Sequence, residues 1–443
     1  MTNDDLLDFA LAAARQAGAD AADALLTERT ATSLSWRLGA LEELERKETR
    51  ALGLRVLVGR RVATTSTTRT DRATVTALAE DAVAAARLMP EDPWAGLAAA
   101  EELAAPAPDL DLLDPTEPSL DQLQAAAAAA EDAARAVAGV TNSEGASASW
   151  SRARITLAAS TGFRGGYARS RHGLGVTVLA GGGTEMQRDY EYRQASHRVD
   201  LPSPEVIGRE AGERTVRRVG PRKVATAKVP VVFDPRAAAG LLRPLAGAVS
   251  GDAVASGRSF LAGRLGEAVF APVVTILDDP LRPRGLASRP FDGEGIGAER
   301  RALVEAGIFR TWLLDLAGAR RFGLASTGHA SRSGAALGSP AATNLVLLPG
   351  RVPPAELIAD IARGFYVTEL MGMGVNLVTG DYSRGAAGFW IENGEIAYPV
   401  SEVTVAGNLA QMFLNLLPGA DLEVRGATDA PTVRIDGLTV AGT

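Results

Sequence analysis

Residues 229–252, VPVVFDPRAAAGLLRPLAGAVSGD, constrain the fold more than any other stretch of this chain. Val229 to Phe233 is a β-branched apolar run and reads as a short buried strand. Asp234-Pro235 then signals a helix start: a carboxylate that caps free backbone N–H groups, followed by proline at the first helical position. Ala237 to Val249 continue as a helix that is apolar nearly all round, so it is expected inside the protein. Pro244 removes a backbone donor from its interior and is expected to kink or split it. A buried strand running directly into a buried helix needs a layered domain around it.

The chain has 443 residues, which at roughly 150 residues per domain suggests two to three domains. Hydrophobic content of 46% and charged content of 22% are those of an ordinary globular protein. The net charge of −7 and the dispersed Lys/Arg residues argue against nucleic acid as a partner. There is no cysteine, which excludes disulfides, thiolate ligands and a cysteine nucleophile. The first residues, MTNDDLLDFALAAARQAG, are acidic where a signal peptide is basic, and no apolar run approaches the length of a membrane span. The expected location is the cytoplasm, with no membrane partner.

Four sections follow from the pattern. Residues 1–90 read as an α/β domain: helices at Asp4–Ala17 and Thr74–Leu88, and strands at Ala22–Leu26, Ser33–Arg37 and Leu52–Val58. The charged stretch Leu41–Arg50 reads as either a solvated strand or a loop. Residues 91–118, rich in proline and acid, read as a surface connection. Residues 119–223 begin with an alanine-rich helix, Leu120–Val137. They continue through strands and hairpins over 141–199, with Gly181-Gly-Gly183 as a turn, to a helix at Pro204–Val219. Residues 224–443 read as β-rich. Strands are expected at Phe270–Leu277, Leu345–Leu348, Gly374–Thr379 and Leu422–Arg425, and hairpins at Leu303–Trp312 and Gly388–Ala397. The second hairpin carries Asn393-Gly394, a strong turn signal. Helices are expected at Pro354–Arg363 and Val405–Leu417. The fold class is α+β, with mixed helix and antiparallel-strand segments followed by a β-rich C-terminal domain.

The strand, Asp-Pro, Ala/Gly-rich helix and Ser250-Gly-Asp252 resemble the start of the C-terminal domain of the TldD/PmbA family. Further similarity lies, in order, in Gly53–Gly59 with Ser66-Thr-Thr68, in Asn142-Ser-Glu-Gly145, Gly162-Phe163 and Arg188-Asp-Tyr190, and in Asp279–Gly285 through Gly295. The resemblance implies a two-subunit zinc-dependent peptidase whose TldD-type chains carry His-Glu-x-x-x-His on this helix. Aligned on Gly251-Asp252, the corresponding positions here are Leu242, Arg243 and Gly247. Leucine and glycine offer no side-chain ligand, and arginine stays protonated and repels a cation. The stretch Met371–Asp381 matches the place where TldD-type members carry a cysteine ligand, and here Leu370-Met371 stands instead. A thioether is a poor zinc ligand beside a thiolate. The resemblance is therefore to the PmbA (TldE) side of the family. No cofactor is expected in this chain, and zinc is expected in a metal-bearing paralogue.

Histidine occurs only at 172, 197 and 329, and no pair has metal-ligand spacing. His329 and Arg332 lie in a polar glycine-bearing loop, Ser326–Ser333, and are candidates for a substrate-binding or interface role. The plainer account of His329 is a loop histidine hydrogen-bonded to backbone. Asp292 and Glu294, in Phe291-Asp-Gly-Glu-Gly-Ile296, read first as a turn. Glu294 is also a candidate to hold a peptide terminus or an arginine.

The expected function is the non-catalytic subunit of a TldD–TldE-type peptidase acting on small or unfolded peptides, paired with a TldD-type paralogue. The rival from another class is a peptide-binding homodimer or assembly scaffold. A hydrolase built on Ser or Thr with His329 ranks last, since it requires a hydroxyl and a carboxylate beside that imidazole.

Overall fold

The computed structural model describes residues 2–105 and 108–442. Its first half contains α1 (Asn3–Ala17), β1 (Ala21–Arg37), β2 (Ala40–Val58), β3 (Arg61–Thr67), α2 (Arg72–Leu88), α3 (Leu120–Arg135), β4 (Val140–Ala159), β5 (Arg164–Ala180), β6 (Gln187–Ala195) and α4 (Pro204–Arg217). The helix ends follow local chemistry. The Thr2 hydroxyl accepts from Asp5 N–H while the Asp5 carboxylate accepts from Thr2 N–H, and Gly18 closes α1 in the left-handed region at φ 99°.

These strands form one antiparallel six-stranded sheet in the order β3-β2-β1-β4-β5-β6. Residues 1–90 and 119–223 therefore share a sheet, joined where β1 pairs with β4 from Asp23↔Ala159 to Trp36↔Ala146. The two strands expected at Ala22–Leu26 and Ser33–Arg37 are a single β1, and Leu41–Arg50 is the solvated half of β2. Strand residues alternate between faces. Ala22, Ala24 and Leu26 pack under α1 and α2, while Leu34, Ala146, Ala148, Leu174 and Val176 pack under α3 and α4. All four helices thus cover one face, and the odd-numbered residues of β1, β4 and β5 look the other way.

The second half comprises β7 (Ala227–Phe233), α5 (Pro235–Ala248), α6 (Gly251–Ala255), β8 (Ile276–Asp278), β9 (Arg301–Glu305), β10 (Ile308–Phe309), α7 (Leu316–Phe322), β11 (Ser331–Ser333), β12 (Ala336–Gly338) and β13 (Leu345–Leu347). It continues with α8 (Pro354–Ile358), β14 (Arg363–Met371), β15 (Asp381–Glu392), β16 (Glu395–Asn408), α9 (Leu409–Leu414), β17 (Leu416–Pro418), β18 (Thr428–Asp429) and β19 (Val433–Ala441). The order β16-β15-β14-β7-β19-β17, with β16 also paired to β19, curls the main sheet round on itself. A smaller sheet runs β10-β9-β8-β13-β18. One core of Val231, Phe233, Leu241, Leu245, Phe365, Val405 and Ile435, with their neighbours, joins α5 to both sheets.

Several expectations are corrected. Helix α5 runs unbroken through Pro244. Only one backbone donor is lost there, and burial of Leu241, Leu242, Leu245 and Ala248 holds the turns on either side. The strand expected over Phe270–Leu277 shrinks to β8. Gly374–Thr379 and Leu422–Arg425 are irregular apart from an isolated bridge at Val375. The Pro354–Arg363 helix stops at Ile358, and Val405–Leu417 divides among β16, α9 and β17. In the last of these, pairing of β16 with β15 and β19, and of β17 with β19, overrides the local helical pattern. The Asn393-Gly394 hairpin is present, with both residues at positive φ (51° and 80°).

Candidate functional site

Helix α5 is set in place at its first turn. The Asp234 carboxylate accepts from Arg236 N–H at 2.8 Å and Ala237 N–H at 3.4 Å. Arg236 then reaches out of the domain. It donates to Asp189 Oδ1 at 2.9 Å and Tyr190 O at 2.8 Å, and its guanidinium lies over the Tyr190 ring at 4.7 Å. Arg218 takes the other Asp189 oxygen at 3.1 Å and Glu369 at 2.6 Å. Burial alone would push the Asp189 carboxyl up, but Arg236 and Arg218 hold it below its ordinary range. The Arg188-Asp-Tyr190 stretch, noted for its resemblance, thus anchors the helix to the central segment.

The three matched positions do not share a face of α5. Leu242 is 2% exposed and belongs to the core. Arg243 and Gly247 line a cavity of about 610 Å³ together with Ala246, Ser250 and Asp252. Five residues apart, Leu242 and Gly247 are separated by about 140° around a helix, which is why one points inward and the other does not. The Met371–Asp381 stretch does come to this helix. Leu377 lines the same cavity, and a methyl added at Gly247 would sit 3.0 Å from Leu377 Cδ1. An alkyl chain, a guanidinium and a glycine do not fit a zinc ion. Among the described residues, no three His, Asp or Glu side chains stand together as a metal-binding group.

His329 is buried, 1% exposed, in contacts the loop pattern did not suggest. Its Nε2 lies 3.0 Å from Asp278 Oδ2 and its Nδ1 lies 2.8 Å from Thr327 Oγ1. Asp278 also accepts from Thr343 N–H at 2.5 Å and Thr343 Oγ1 at 2.7 Å. Burial pushes the Asp278 carboxyl up, yet the His329 and Thr343 hydrogen bonds hold it below its ordinary value. A hydroxyl, an imidazole and a carboxylate therefore stand in line, as a nucleophilic hydrolase would require. The arrangement is reversed, however, because the carboxylate takes Nε2 and the hydroxyl Nδ1. Thr327 is itself buried, accepts from Leu314 N–H at 2.7 Å, and has no open side for a substrate. This line of groups braces loops. The His329 imidazole itself bonds to two side chains, not to backbone as in the plainer account.

Asp292 and Glu294 also turn inward. Asp292 Oδ1 accepts from Glu294 N–H (2.9 Å) and Ile296 N–H (3.0 Å), and Oδ2 accepts from Ala330 N–H (2.9 Å). This is an elaborated turn, and it carries Glu294 to an arginine: Arg55 Nη1 donates to Glu294 Oε1 at 3.1 Å. Arg55 Nε donates to Asp23 Oδ2 at 2.6 Å, and Arg332 pairs with Asp23 Oδ1 at 2.6 Å. Three of the four candidate positions thus join in bracing the first sheet against the C-terminal loops. The partners of these positions, Asp23 and Arg55, and those around His329, Asp278 and Thr343, carry no local signal, since each lies in an ordinary strand or loop.

Comparison with known proteins places this architecture. Residues 22–86, 113–219 and 226–442 match, in order, domain 1, the central domain and the C-terminal domain of the PmbA/TldA metallopeptidases. Metalloprotease PmbA of Escherichia coli O157:H7 is 39% identical over 425 residues, 96% of this chain and 92% of its own. A Metalloprotease PmbA homolog of Haemophilus influenzae is 35% identical over 438 residues, 98% of this chain and 95% of its own. Among solved structures, a candidate modulator of a DNA gyrase from Bacteroides thetaiotaomicron superposes with TM-score 0.91 at 28% identity, covering 100% of this chain and 99% of that one. TldE from Thermococcus kodakarensis superposes with TM-score 0.88 at 21% identity over 99% of this chain and 100% of its own, a likeness of fold. Fold and sequence together define a chain of the metallopeptidase class. It belongs to the PmbA/TldD family, as a PmbA-type member.

Proposed function

We propose that this chain is the non-catalytic subunit of a TldD–TldE-type zinc peptidase of the cytoplasm, pairing with a metal-bearing paralogue that cleaves small or unfolded peptides. The observation that carries the reading is the cavity face of α5. It presents Arg243, Ala246, Gly247 and Ser250, and no imidazole or thiolate, where the family's metal-bearing chains are expected to hold zinc. A surface for pairing is also available. Among the described residues, β2 from Ala40 to Ala51 has a strand only on its β1 side, because β3 joins at Leu52. An exposed edge of this length, with Leu41 and Leu44 outward, suits strand addition from another chain.

The test is peptide cleavage by this chain alone, and then mixed with its TldD-type paralogue, with and without chelator. Chelator-sensitive cleavage in the mixture alone is expected. Cleavage by the isolated chain would overturn the proposal. Silence in both, with a homodimer in solution, would replace it with the peptide-binding scaffold.

A further inference from the structure

The face of the first sheet opposite its helices meets the C-terminal loops 285–293 and 331–343 across a second cavity, of about 540 Å³. Its wall carries an unusual concentration of one charge. Arg29 on β1 and Arg169 on β5 both pair with Ala153 on β4, so they flank a small residue on one cross-strand row. With strands about 4.8 Å apart, their Cα atoms stand roughly 10 Å from each other. Arg171 follows on the same face of β5, opposite Ser151. Arg289 and Arg332 approach from the loops.

Arg332 pairs with Asp23, and Arg289 donates to Ala330 O and Gly328 O, but the other three guanidiniums meet no carboxylate among the described residues. Among the described residues, Arg29 and Arg169 have no ion-pair or hydrogen-bond partner, and Arg171 donates only to Leu286 O at 3.0 Å. Arg332 gives Nη1 to Asp23 and Gly293 O and Nε to Gly334 O, and leaves its buried Nη2 without a partner. Asp292, a carboxylate in the wall, has both oxygens taken by backbone N–H groups. Burial pushes the Arg171 guanidinium below its ordinary value, and the like charges of Arg169 and Arg29 push it the same way. An anion placed among them would relieve that repulsion through bidentate hydrogen bonds.

The other end of the cavity is apolar. Leu25, Leu157, Tyr167 and Phe291 close it, with Tyr167 and Phe291 edge to face at 5.5 Å. From Leu25 to Arg29 is four strand residues, about 13 Å. The β1 and β4 backbones are already paired on both sides across this floor, while β5 has β6 beside it only from His172 onward; what these strands turn toward the cavity is their side chains, and these are what a ligand seated in it meets.

We propose that this cavity binds a peptide through a carboxylate seated among Arg29, Arg169 and Arg171, with an apolar side chain two to four residues away lodged against Tyr167 and Phe291. The ligand's being a peptide rests on the function proposed above; the site's preference for a carboxylate rests on the cavity itself.

The test is binding of acetyl-Leu-Ala-Ala-Glu-Glu-amide and its Gln-Gln counterpart to the purified full-length chain, by titration calorimetry at low and at physiological salt. At least tenfold tighter binding of the acidic peptide is expected, weakening with salt. The double variant Arg29→Gln/Arg169→Gln, which removes no hydrogen bond to the protein, should abolish the preference. Equal binding of the two peptides to the unaltered chain would overturn the proposal without any variant. Inorganic phosphate is the competing arm: if it displaces the peptide and replacing the peptide's leucine with glycine changes nothing, the site is one for a free anion and the peptide proposal falls. Cleavage is read separately. Acidic-peptide binding without cleavage in the mixed subunits would sink the partner-subunit reading and leave the cavity standing. Cleavage with no acidic preference would do the reverse.

Discussion

Arg55 on β2 and Glu294 in the loop before β9 are 239 residues apart in sequence and meet at 3.1 Å with both side chains almost wholly buried. Asp23 and Arg332 complete the group, so two carboxylates and two guanidiniums link the first sheet to the C-terminal loops. Such a cluster is sensitive to the loss of any one charge, because the remaining ones stay out of water.

The pH dependence of stability should expose Glu294. Burial, reinforced by Asp292 and only partly offset by Arg55, pushes its carboxyl from 4.5 up to about 7. The folded state then holds this proton more tightly than the unfolded chain. The group's contribution to stability is therefore full below about pH 4.5 and falls as pH rises through 7. Glu294→Gln removes this slope. Calorimetric melts from pH 4.5 to 7.5 should show the unaltered protein losing up to ~3 kcal/mol relative to the variant over that range. Parallel curves would show that Glu294 titrates normally.

Replacing His329 should unfold loops and leave no catalytic signature. His329→Ala removes the imidazole from Asp278, whose side chain is wholly buried. An uncompensated buried carboxylate costs about 3–5 kcal/mol. Denaturant unfolding should show that loss at pH 7. It should shrink on acidification, because a carboxyl held below its ordinary value stabilises above pH 3.8 and ceases to do so as it protonates. An unchanged midpoint would mean the pair is idle.

Gly53→Ala should separate the two halves of the protein. A methyl there would stand 2.6 Å from Ala335 N and 2.7 Å from its Cα, and backbone cannot rotate away as a side chain can. Overpacking of this kind costs about 1–3 kcal/mol. Faster proteolysis within residues 91–118 would report the loosened contact. Unaltered cleavage and melting would show that the loop gives way freely.

Rebuilding the motif should not rebuild an enzyme. In Leu242→His/Arg243→Glu/Gly247→His, the first imidazole replaces a core leucine and points away from the cavity that receives the other two positions. We expect a lower melting temperature, less than one zinc per chain by elemental analysis, and no peptide cleavage by the chain alone. Chelator-sensitive cleavage by this variant would show that α5 can rotate its face.

Much of the architecture was legible because its signals are local. The Asp234-Pro235 cap, the Asn393-Gly394 turn and the alternating residues of β4 and β5 each specify their own geometry. The motifs that placed the chain in its family are equally short-range. The site was less legible. His329, Asp292 and Glu294 stood out as polar residues in glycine-bearing loops, yet what they do depends on Asp278, Arg55 and Asp23, which come from distant strands. The same holds for the arginine cavity: Arg169 and Arg171 share a strand face, but Arg29 joins them only through the β1–β4 register. Where β16 and β17 took the two ends of the helix expected at Val405–Leu417, pairing between strands outweighed a local preference worth less than the bonds it forfeited.

The β1–β4 register also has a consequence in time. Asp23 emerges from the ribosome 136 residues before its partner Ala159. At roughly 5–20 residues per second this is a delay of roughly 7–27 s. Throughout it, the hairpin of β1 and β2 presents an unsatisfied edge to the cell, so the nascent N-terminal third is the part of this chain that a chaperone is expected to meet.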